Sequence, residues 1–174
     1  MKIQIKYMAG IKLAVFSLMA FIFFLIPSEM QAQEPPPRPI IVNVTAQTLN
    51  FGAFTHGPAG GTVTVSPGSL RTSAGDVILL GLGYSFSASL FELLANPGTV
   101  ISILNGPSTA LTGSNGGSIT LTLDDSNPLS PFVTGETPPT PNLVYLGATI
   151  TIGDAASNPP GNYSGTYNIT FIQE

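Results

Sequence analysis

The sequence predicts an all-β protein, an antiparallel β-sandwich of about eight short strands. Segments in which apolar and polar residues alternate recur along the chain, and turns containing Gly or Pro separate them about every ten residues. Beyond the N-terminal region, no segment shows the periodicity of an amphipathic helix. The connections differ too much in length for a regular closed barrel, which favours a sandwich.

The last segment shows the alternation most clearly. Tyr163, Tyr167, Ile169 and Phe171 fall on one side, and Ser, Thr and Asn residues fall on the other. This period of two is typical of a half-buried antiparallel strand, so we predict one strand over residues 163–171. Because both tyrosines lie on the apolar side, core packing is favoured for them over a surface that stacks against sugars.

The other predicted strands are bounded by Gly, Pro, Asn and Ser residues. They occupy residues 40–46, 62–66, 76–80, 84–91, 99–104, 118–123 and 146–152. The glycines of Gly81-Leu-Gly83 predict a bend or bulge, and residues 89–95 also fit a single helical turn. The longest predicted loop runs from Asp124 to Asn142 and contains five prolines.

The N-terminus has the order of a secretory signal peptide over residues 1–32. Lysines precede an apolar run over residues 13–26, which is short for a membrane span, and Gln33 is the expected first mature residue. An uncleaved anchor is the alternative. We expect a Pro-rich tether over residues 33–39 and one β-sandwich domain over residues 40–174, exported to the periplasm, the cell surface or the extracellular space.

The charge of the expected mature chain limits its partners. Residues 33–174 carry two arginines, no lysine and eight acidic side chains, a net charge of −6. Without a basic cluster, nucleic acid and anionic lipid are not expected partners, and only the signal peptide is expected to meet a membrane. The chain has no cysteine, so a lipoprotein anchor is excluded and stability must come from the core.

Few residues suit catalysis or metal binding. A single histidine and no cysteine exclude a zinc site of the usual kind, and His56 is interpreted as an exposed loop residue. Gly81-Leu-Gly83 lacks the third glycine and the helix of a phosphate-binding loop. We therefore expect no cofactor and no enzymatic activity.

The adjacent acids Asp124 and Asp125 are the one weak metal candidate. Calcium accepts several oxygen ligands, and two carboxylates with loop carbonyls could supply some of them. The favoured alternative is a strand that ends in turn-forming aspartates, because no spaced calcium-loop motif accompanies the pair.

Several phrases of the sequence, taken together, resemble a bacterial family known as domain of unknown function 4402. They are Leu49-Asn-Phe-Gly52, Gly60-Gly-Thr-Val-Thr-Val-Ser-Pro-Gly68 with Arg71-Thr72, Ser87-Ala-Ser-Leu-Phe91, Leu146-Gly-Ala-Thr-Ile-Thr-Ile-Gly153 and Gly161-Asn-Tyr-Ser-Gly-Thr-Tyr167. The resemblance implies a relation to spore-coat protein U and archaic pilin domains, which are immunoglobulin-like sandwiches at the cell surface. It implies no catalytic residues. The Pro-rich segment from Pro128 to Pro141 departs from the family pattern as an insertion does.

These observations predict an exported structural or adhesive surface module without catalytic activity, similar to a pilin or coat protein. The alternative is a module that binds a glycan or another surface protein through the 124–142 loop, with or without calcium. A monomer is favoured over a homo-oligomer, because four prolines in residues 33–39 make that segment a poor strand for exchange between copies.

Overall fold

Antiparallel β-strands build the whole of the described protein. The structure, a computed structural model, describes residues 39–174. The strands are β1 (Ile41–Val44), β2 (Phe54–Val65), β3 (Arg71–Leu79), β4 (Ser89–Leu94), β5 (Val100–Asn105), β6 (Thr109–Gly113), β7 (Ser118–Asn127), β8 (Phe132–Val133), β9 (Asn142–Ile152), β10 (Tyr163–Ser164) and β11 (Ile169–Gln173). The predicted all-β antiparallel sandwich is confirmed, with eleven strands rather than about eight.

The predicted signal peptide over residues 1–32 and nearly all of the tether over residues 33–39 lie outside the described residues and stay predictions. Within residues 39–174, no helix is long and apolar enough to cross a membrane.

Two sheets form the sandwich. The larger sheet has the order β1-β4-β9-β7-β6-β10, with β2 added beside β9 and β3 beside β2. The smaller sheet has the order β11-β5-β8. The core lies between them: Phe91 of β4 meets Phe171 of β11 edge to face, with ring centroids 5.4 Å apart.

Strand β9 is the centre of the larger sheet. One edge pairs with β4 over its first half and with β2 over its second half, while the other edge pairs with β7. Its inward side chains are almost completely buried; they are Val144, Leu146, Ala148, Ile150 and Ile152. These apolar, mostly branched residues at every second position are what a strand buried on one face requires.

Gly147 lies where the partner of β9 changes from β4 to β2. A Cβ at this position would come within 2.9 Å of the Val65 carbonyl oxygen and 2.8 Å of the Pro67 ring. On the opposite edge, Asp124 and Asp125 of β7 together face Gly147, since Leu123 pairs with Ala148 and Ser126 with Leu146. This two-against-one pairing is a β-bulge, so a glycine and a bulge occupy the same level of the sheet.

The β2–β3 hairpin is sharply bent. Its register changes between His56 and Gly61, and Gly75 of β3 has a φ of +76°, which favours glycine. The bend brings the two ends of β3 together, because the guanidinium of Arg71 reaches the carbonyl oxygen of Leu80, 3.2 Å away. The outer arm of the hairpin therefore folds back over the core, against which Phe54 and Leu79 pack.

The prediction of one closing strand over residues 163–171 is wrong, although its inward face is right. Tyr163 and Ser164 pair with β6 in the larger sheet, whereas residues 169–173 pair with β5 in the smaller one. The chain crosses between the sheets over residues 165–168, which belong to no strand. Tyr163, Tyr167, Ile169 and Phe171 are partly buried and pack against the core, as the alternation predicted.

The predicted loop from Asp124 to Asn142 is also wrong at both ends and in the middle. Strand β7 continues through the bulge to Asn127, β9 begins at Asn142, and β8 lies between them, paired with β5. The sequence does not predict these strands, because proline and short polar residues are uncommon in strands. Here the strands depend on backbone hydrogen bonds to partner strands elsewhere in the chain.

Several strand boundaries differ from the predictions. Strand β3 begins at Arg71 instead of residue 76, and β6 lies where no strand was predicted. Residues 89–94 form a strand, which rules out the helical turn.

Strand β1 ends at Val44, whose side chain is exposed, and the inward side then shifts to Thr45. The chain then bends at Ala46, and beyond the bend Leu49 and Phe51 pack in the core.

Candidate functional site

The acid pair Asp124 and Asp125 lies on the wall of a small cavity between β5 and the end of β7. The cavity has a volume of about 220 Å³. Its other lining residues are Ile103, Asn105, Ser126, Leu129 and Ser130. The bulge in β7 therefore brings both sequence-predicted acids to one place, but within a strand. The favoured interpretation, a strand that ends in turn-forming aspartates, is wrong because β7 continues to Asn127.

Asp124 is held by hydrogen bonds on both its side chain and its backbone. The hydroxyl of Thr149 donates to Oδ2 at 2.6 Å, and the hydroxyls of Thr149 and Thr64 lie 2.7 Å apart. Because Thr149 donates its only proton to the carboxylate, Thr64 donates to Thr149, and the chain of bonds crosses β2, β9 and β7. The Asn105 amide donates to the Asp124 carbonyl oxygen at 2.8 Å.

These contacts limit what the pair can bind. One oxygen of Asp124 already has a donor, and the exposed Asp125 supplies the second carboxylate. Calcium prefers six to eight oxygen ligands. Within residues 39–174, no three His, Cys, Asp or Glu side chains are grouped closely enough to hold a metal ion. A cation here would take most of its ligands from water and from neutral oxygens of the cavity.

A larger groove lies beside the connection between β7 and β9, with a volume of about 470 Å³. Its walls come from the connection, from β8 and from the start of β9; the lining residues are Pro128, Phe132, Val133, Glu136, Thr140, Pro141, Asn142 and Leu143. Glu136 is the only charged residue of this lining. The groove can hold an apolar or ring-shaped group and offer one carboxylate to a hydrogen-bond donor.

The connection is fixed in place by two polar side chains. The buried Thr134 donates its hydroxyl to the Asn96 carbonyl oxygen at 2.6 Å and accepts the Thr99 N–H at 3.1 Å. The side-chain oxygen of Asn142 accepts the N–H groups of Gly135 and Glu136 at 2.9 and 3.2 Å. The groove is thus formed in advance, which lowers the entropic cost of binding.

Arg71 was not among the predicted functional residues. Its side chain connects residues 51–53 with Leu80 at the end of the hairpin. Its Nη1 donates to the carbonyl oxygens of Phe51 at 2.9 Å and Ala53 at 3.2 Å, and its guanidinium lies 4.6 Å from the centre of the Phe86 ring. A side chain at Gly52 would collide with Nη1. This is a forked, stacked arrangement that suits arginine and not lysine.

His56 is not the exposed loop residue that the sequence predicted. It lies in β2 and is partly buried, because the bent hairpin carries it against the loop after β9. Its Nε2 is 3.0 Å from the Asn158 carbonyl oxygen, and its Nδ1 is 3.2 Å from the Gly57 carbonyl oxygen. Both ring nitrogens face backbone carbonyls, so neither is aimed at a nucleophile.

The loop after β9 is organised by Asp154 and Asn158. The N–H of Ser157 donates to the Asp154 carboxylate at 2.7 Å, and this bond holds the pKa of that carboxyl below its usual range. Asn158 is almost completely buried, and its amide bonds to the Gly153 N–H and the Ser118 carbonyl oxygen. Asn158-Pro-Pro is a sequence typical of a turn, and the contact with Ser118 at the start of β7 accounts for the burial of the Asn158 amide.

The tyrosines divide into packed and exposed residues. Tyr163 donates its hydroxyl to the Pro159 carbonyl oxygen at 2.7 Å, and the Tyr167 hydroxyl bonds to the buried Ser89. Tyr145 packs against the core, whereas Tyr84 is 68% exposed. Core packing was the favoured interpretation of Tyr163 and Tyr167, and it is the arrangement found.

Comparison with protein families decides the classification. The family model "Domain of unknown function (DUF4402)" matches residues 42–172, well over half of the chain. The chain belongs to the DUF4402 family. No curated protein and no solved structure matches it.

The phrases that carry the DUF4402 resemblance coincide with structural junctions. Asn50 accepts the Gly52 N–H at 2.9 Å and pairs through its backbone with Ser87, so two phrases meet beside Arg71 of a third. Gly147 stands at the change of partner in β9. The groove, in contrast, is lined largely by the segment from Pro128 to Pro141, which contains none of these phrases.

Proposed function

We propose that this DUF4402 protein is an exported structural or adhesive module of the cell surface, similar to a pilin or coat protein and without catalytic activity. The observation that supports this most directly is the use of its buried polar side chains. They are Ser89, Ser126, Thr134 and Asn158, and each is bonded to backbone or to another hydroxyl. Buried polar side chains that form hydrogen bonds within the fold stabilise a rigid scaffold and are not available to act on a substrate.

Two sequence features support the export part of the proposal. The basic and apolar order of residues 1–32 is that of a secretory signal, and the chain contains no cysteine that a change of redox compartment would affect. The side-chain polarity of the domain comes mainly from Ser, Thr and Asn rather than from charge. Such a surface resists disruption by changes in ionic strength, since few of its interactions are screened by salt.

The first test follows the protein in its own host. We expect full-length protein to lose residues 1–32, to be found outside the cytoplasm, and to be digested when intact cells are treated with a protease. N-terminal sequencing of the recovered protein and immunoblotting of fractions measure both points, with a cytoplasmic enzyme as the control. Recovery of unprocessed chain in the cytoplasm would contradict the proposal.

A second test concerns completeness of the fold. We propose that each copy folds without a strand donated by another copy, because strands β1 to β11 of a single copy already build both sheets. Deleting the Pro-rich residues 33–38 is then expected to leave the melting temperature unchanged. A ladder of detergent-resistant oligomers that disappears on deletion of residues 33–47 would contradict a self-complete fold.

The groove supports a second candidate function, binding of a glycan or a surface protein. Deleting the connection is a poor test because β8 would be lost with it. Point substitutions are sharper: Glu136→Gln removes the charge of the groove and Leu143→Ser its exposed apolar wall. If the groove binds a glycan, array binding falls for both variants and is kept in Ile78→Ser, a change at an exposed apolar residue of β3 outside the groove. Absence of binding by the wild type would exclude a glycan.

A further inference from the structure

Strand β11 is an unprotected edge of the smaller sheet. It pairs with β5 on one side, and within residues 39–174 no strand pairs with its other side. Its sequence, Ile-Thr-Phe-Ile-Gln, contains no charged residue and no proline. Natural proteins usually protect exposed edges with such residues, with bulges or with very short strands, because unpaired backbone groups attract another strand.

The other edges of the described sheets are protected. Strands β8 and β10 contain two residues each. Strand β3 is bent at Gly75 and carries Asp76, and β1 has four residues and begins two residues after Pro39. Among these edges, β11 alone combines five residues, a regular register and freedom from charge.

The register shows which backbone groups of β11 are unpaired. The Glu174 N–H donates to Val100 and the Gly106 N–H to Asn168, which identifies the hydrogen-bonded pairs of this ladder. Because such pairs alternate along antiparallel strands, Thr170 and Ile172 bond to β5. The N–H and C=O groups of Ile169, Phe171 and Gln173 consequently point away from β5, giving three donors and three acceptors.

We propose that β11 docks on β11 of a second copy of this chain. The two strands run antiparallel about a two-fold axis at Phe171, so that Ile169 of each copy faces Gln173 of the other. All six free groups on each strand are then used in six hydrogen bonds, and the two three-stranded sheets become one sheet of six strands.

The side chains and the charge of the protein favour a second copy as the occupant. On the outer face, Thr170 meets Ile172 of the second copy, so no charges oppose each other at the junction of two net-negative chains. That face also exposes Leu104 and Val133, which are 60% and 64% exposed. Joining the sheets brings two apolar outer faces side by side into one surface.

This inference does not depend on export or on a surface role. It also differs from the strand exchange that the prolines of residues 33–39 disfavour, since each copy keeps all of its own strands. The monomer favoured from sequence was argued against that exchange alone.

Sedimentation of the full chain over a range of concentrations tests the interface. We expect a dimer that dissociates on dilution, and we expect the variant Thr170→Lys with Ile172→Lys to be monomeric at concentrations where the wild type is dimeric. Both positions are exposed, and the lysines would face each other across the axis. Ile78→Lys is the matched control, since it changes an exposed apolar residue of β3 and should remain dimeric.

Cysteine cross-linking tests the register and does not require charge to be introduced. The chain has no cysteine of its own. Residue 170 and residue 172 of the second copy would form a non-hydrogen-bonded pair about 4.5 Å apart at Cα, within the range for a disulfide. We expect mixed Thr170→Cys and Ile172→Cys proteins to cross-link at least several-fold faster than either variant alone.

A wild type that stays monomeric at every concentration would overturn the proposal, as would a dimer that survives the lysine pair. Equal cross-linking of an Ile78→Cys variant would show random collision and overturn it too. Amide exchange gives a third reading: protection of Ile169, Phe171 and Gln173 should rise with protein concentration, while that of Ile172 should not change.

Discussion

Strands β9 and β11 have the same alternating pattern and differ in how deeply they are buried. The inward side chains of β9 are at most 2% exposed, whereas Ile169 and Phe171 of β11 are only partly buried. Among residues 39–174, β9 has partner strands along both edges and β11 along one edge. Alternation therefore determines which face of a strand points inward, and the number of neighbouring strands determines how much water that face loses.

The largest expected effect comes from shortening one side chain in each strand. Leu146→Ala should reduce the free energy of unfolding by about 3 to 5 kcal/mol, because it leaves a cavity in a fully buried site. Ile169→Ala should cost about 1 to 2 kcal/mol, since part of that side chain already contacts water. Urea unfolding of both variants measures the difference. Equal losses in the two variants would show that the depth of burial does not determine how much these side chains stabilise the fold.

Arg71 tests whether β9 depends on the hairpin at its side. Arg71→Lys removes a fork that bonds to Phe51, Ala53 and Leu80, and we expect a loss of about 2 kcal/mol. Amide exchange should quicken in the second half of β9, which pairs with β2, before it quickens in β11. Thr72→Ala, an exposed change on the same strand, serves as the control. An unchanged exchange pattern would show that the hairpin is independent of β9.

The Asp124 carboxylate of the acid pair joins β7 to the other edge of β9 through Thr149. Asp124→Ala should cost about 1 to 2 kcal/mol because the Thr149 hydroxyl of β9 loses its acceptor, whereas Asp125→Ala should change stability by less than about 0.5 kcal/mol. Thermal unfolding with and without calcium chloride distinguishes the structural role of Asp124 from calcium binding by the acid pair. A rise in melting temperature with calcium that both substitutions abolish would establish a metal site.

The smallest expected effect lies in the loop after β9 and depends on pH. The pKa of Asp154 is lowered mainly by the Ser157 N–H, so its ionised form stabilises the folded state. This contribution is complete above the unfolded value of 3.8 and disappears as the pH falls through the lower, folded pKa. The melting-temperature difference between wild type and Asp154→Asn should therefore shrink to zero in that acidic range. A difference that grows with acid would contradict the assignment.

The sequence correctly predicts those strands whose own pattern of apolar and polar residues is enough to identify them. The sequence predicts a strand over residues 146–152 because every second residue is apolar, and these are the last seven residues of β9. The break between β10 and β11 is invisible, because Tyr163 and Ile169 continue one alternation while their partners lie in different sheets. The bend at Gly75 is equally concealed, since it depends on how closely Gly61 approaches.

For the candidate sites too, the sequence reveals single residues but not the distant residues that the fold places beside them. Asp124 and Asp125 are visible as an acid pair, but the bulge that brings both to one cavity lies opposite Gly147 of β9, a pairing that their own segment does not reveal. Glu136 was absent from the candidates because its groove combines β8 with the start of β9. Arg71 carried no signal beyond its place in a family phrase, since its acceptors are carbonyl oxygens that any residue could provide.

The division of one β9 edge between β4 and β2 has a consequence for how the chain folds. β9 begins at Asn142, so the β2–β3 and β6–β7 hairpins and the β1–β4 pair are all synthesised before the strand that joins them. Val63, for example, pairs with Ile150, which lies 87 positions later in the sequence. Contacts at such separation slow folding, and a nascent chain holds only separate pieces of sheet until β9 emerges. A truncated chain that ends before residue 142 should therefore remain easily digested by a protease, and protection should appear only in chains that contain all of β9.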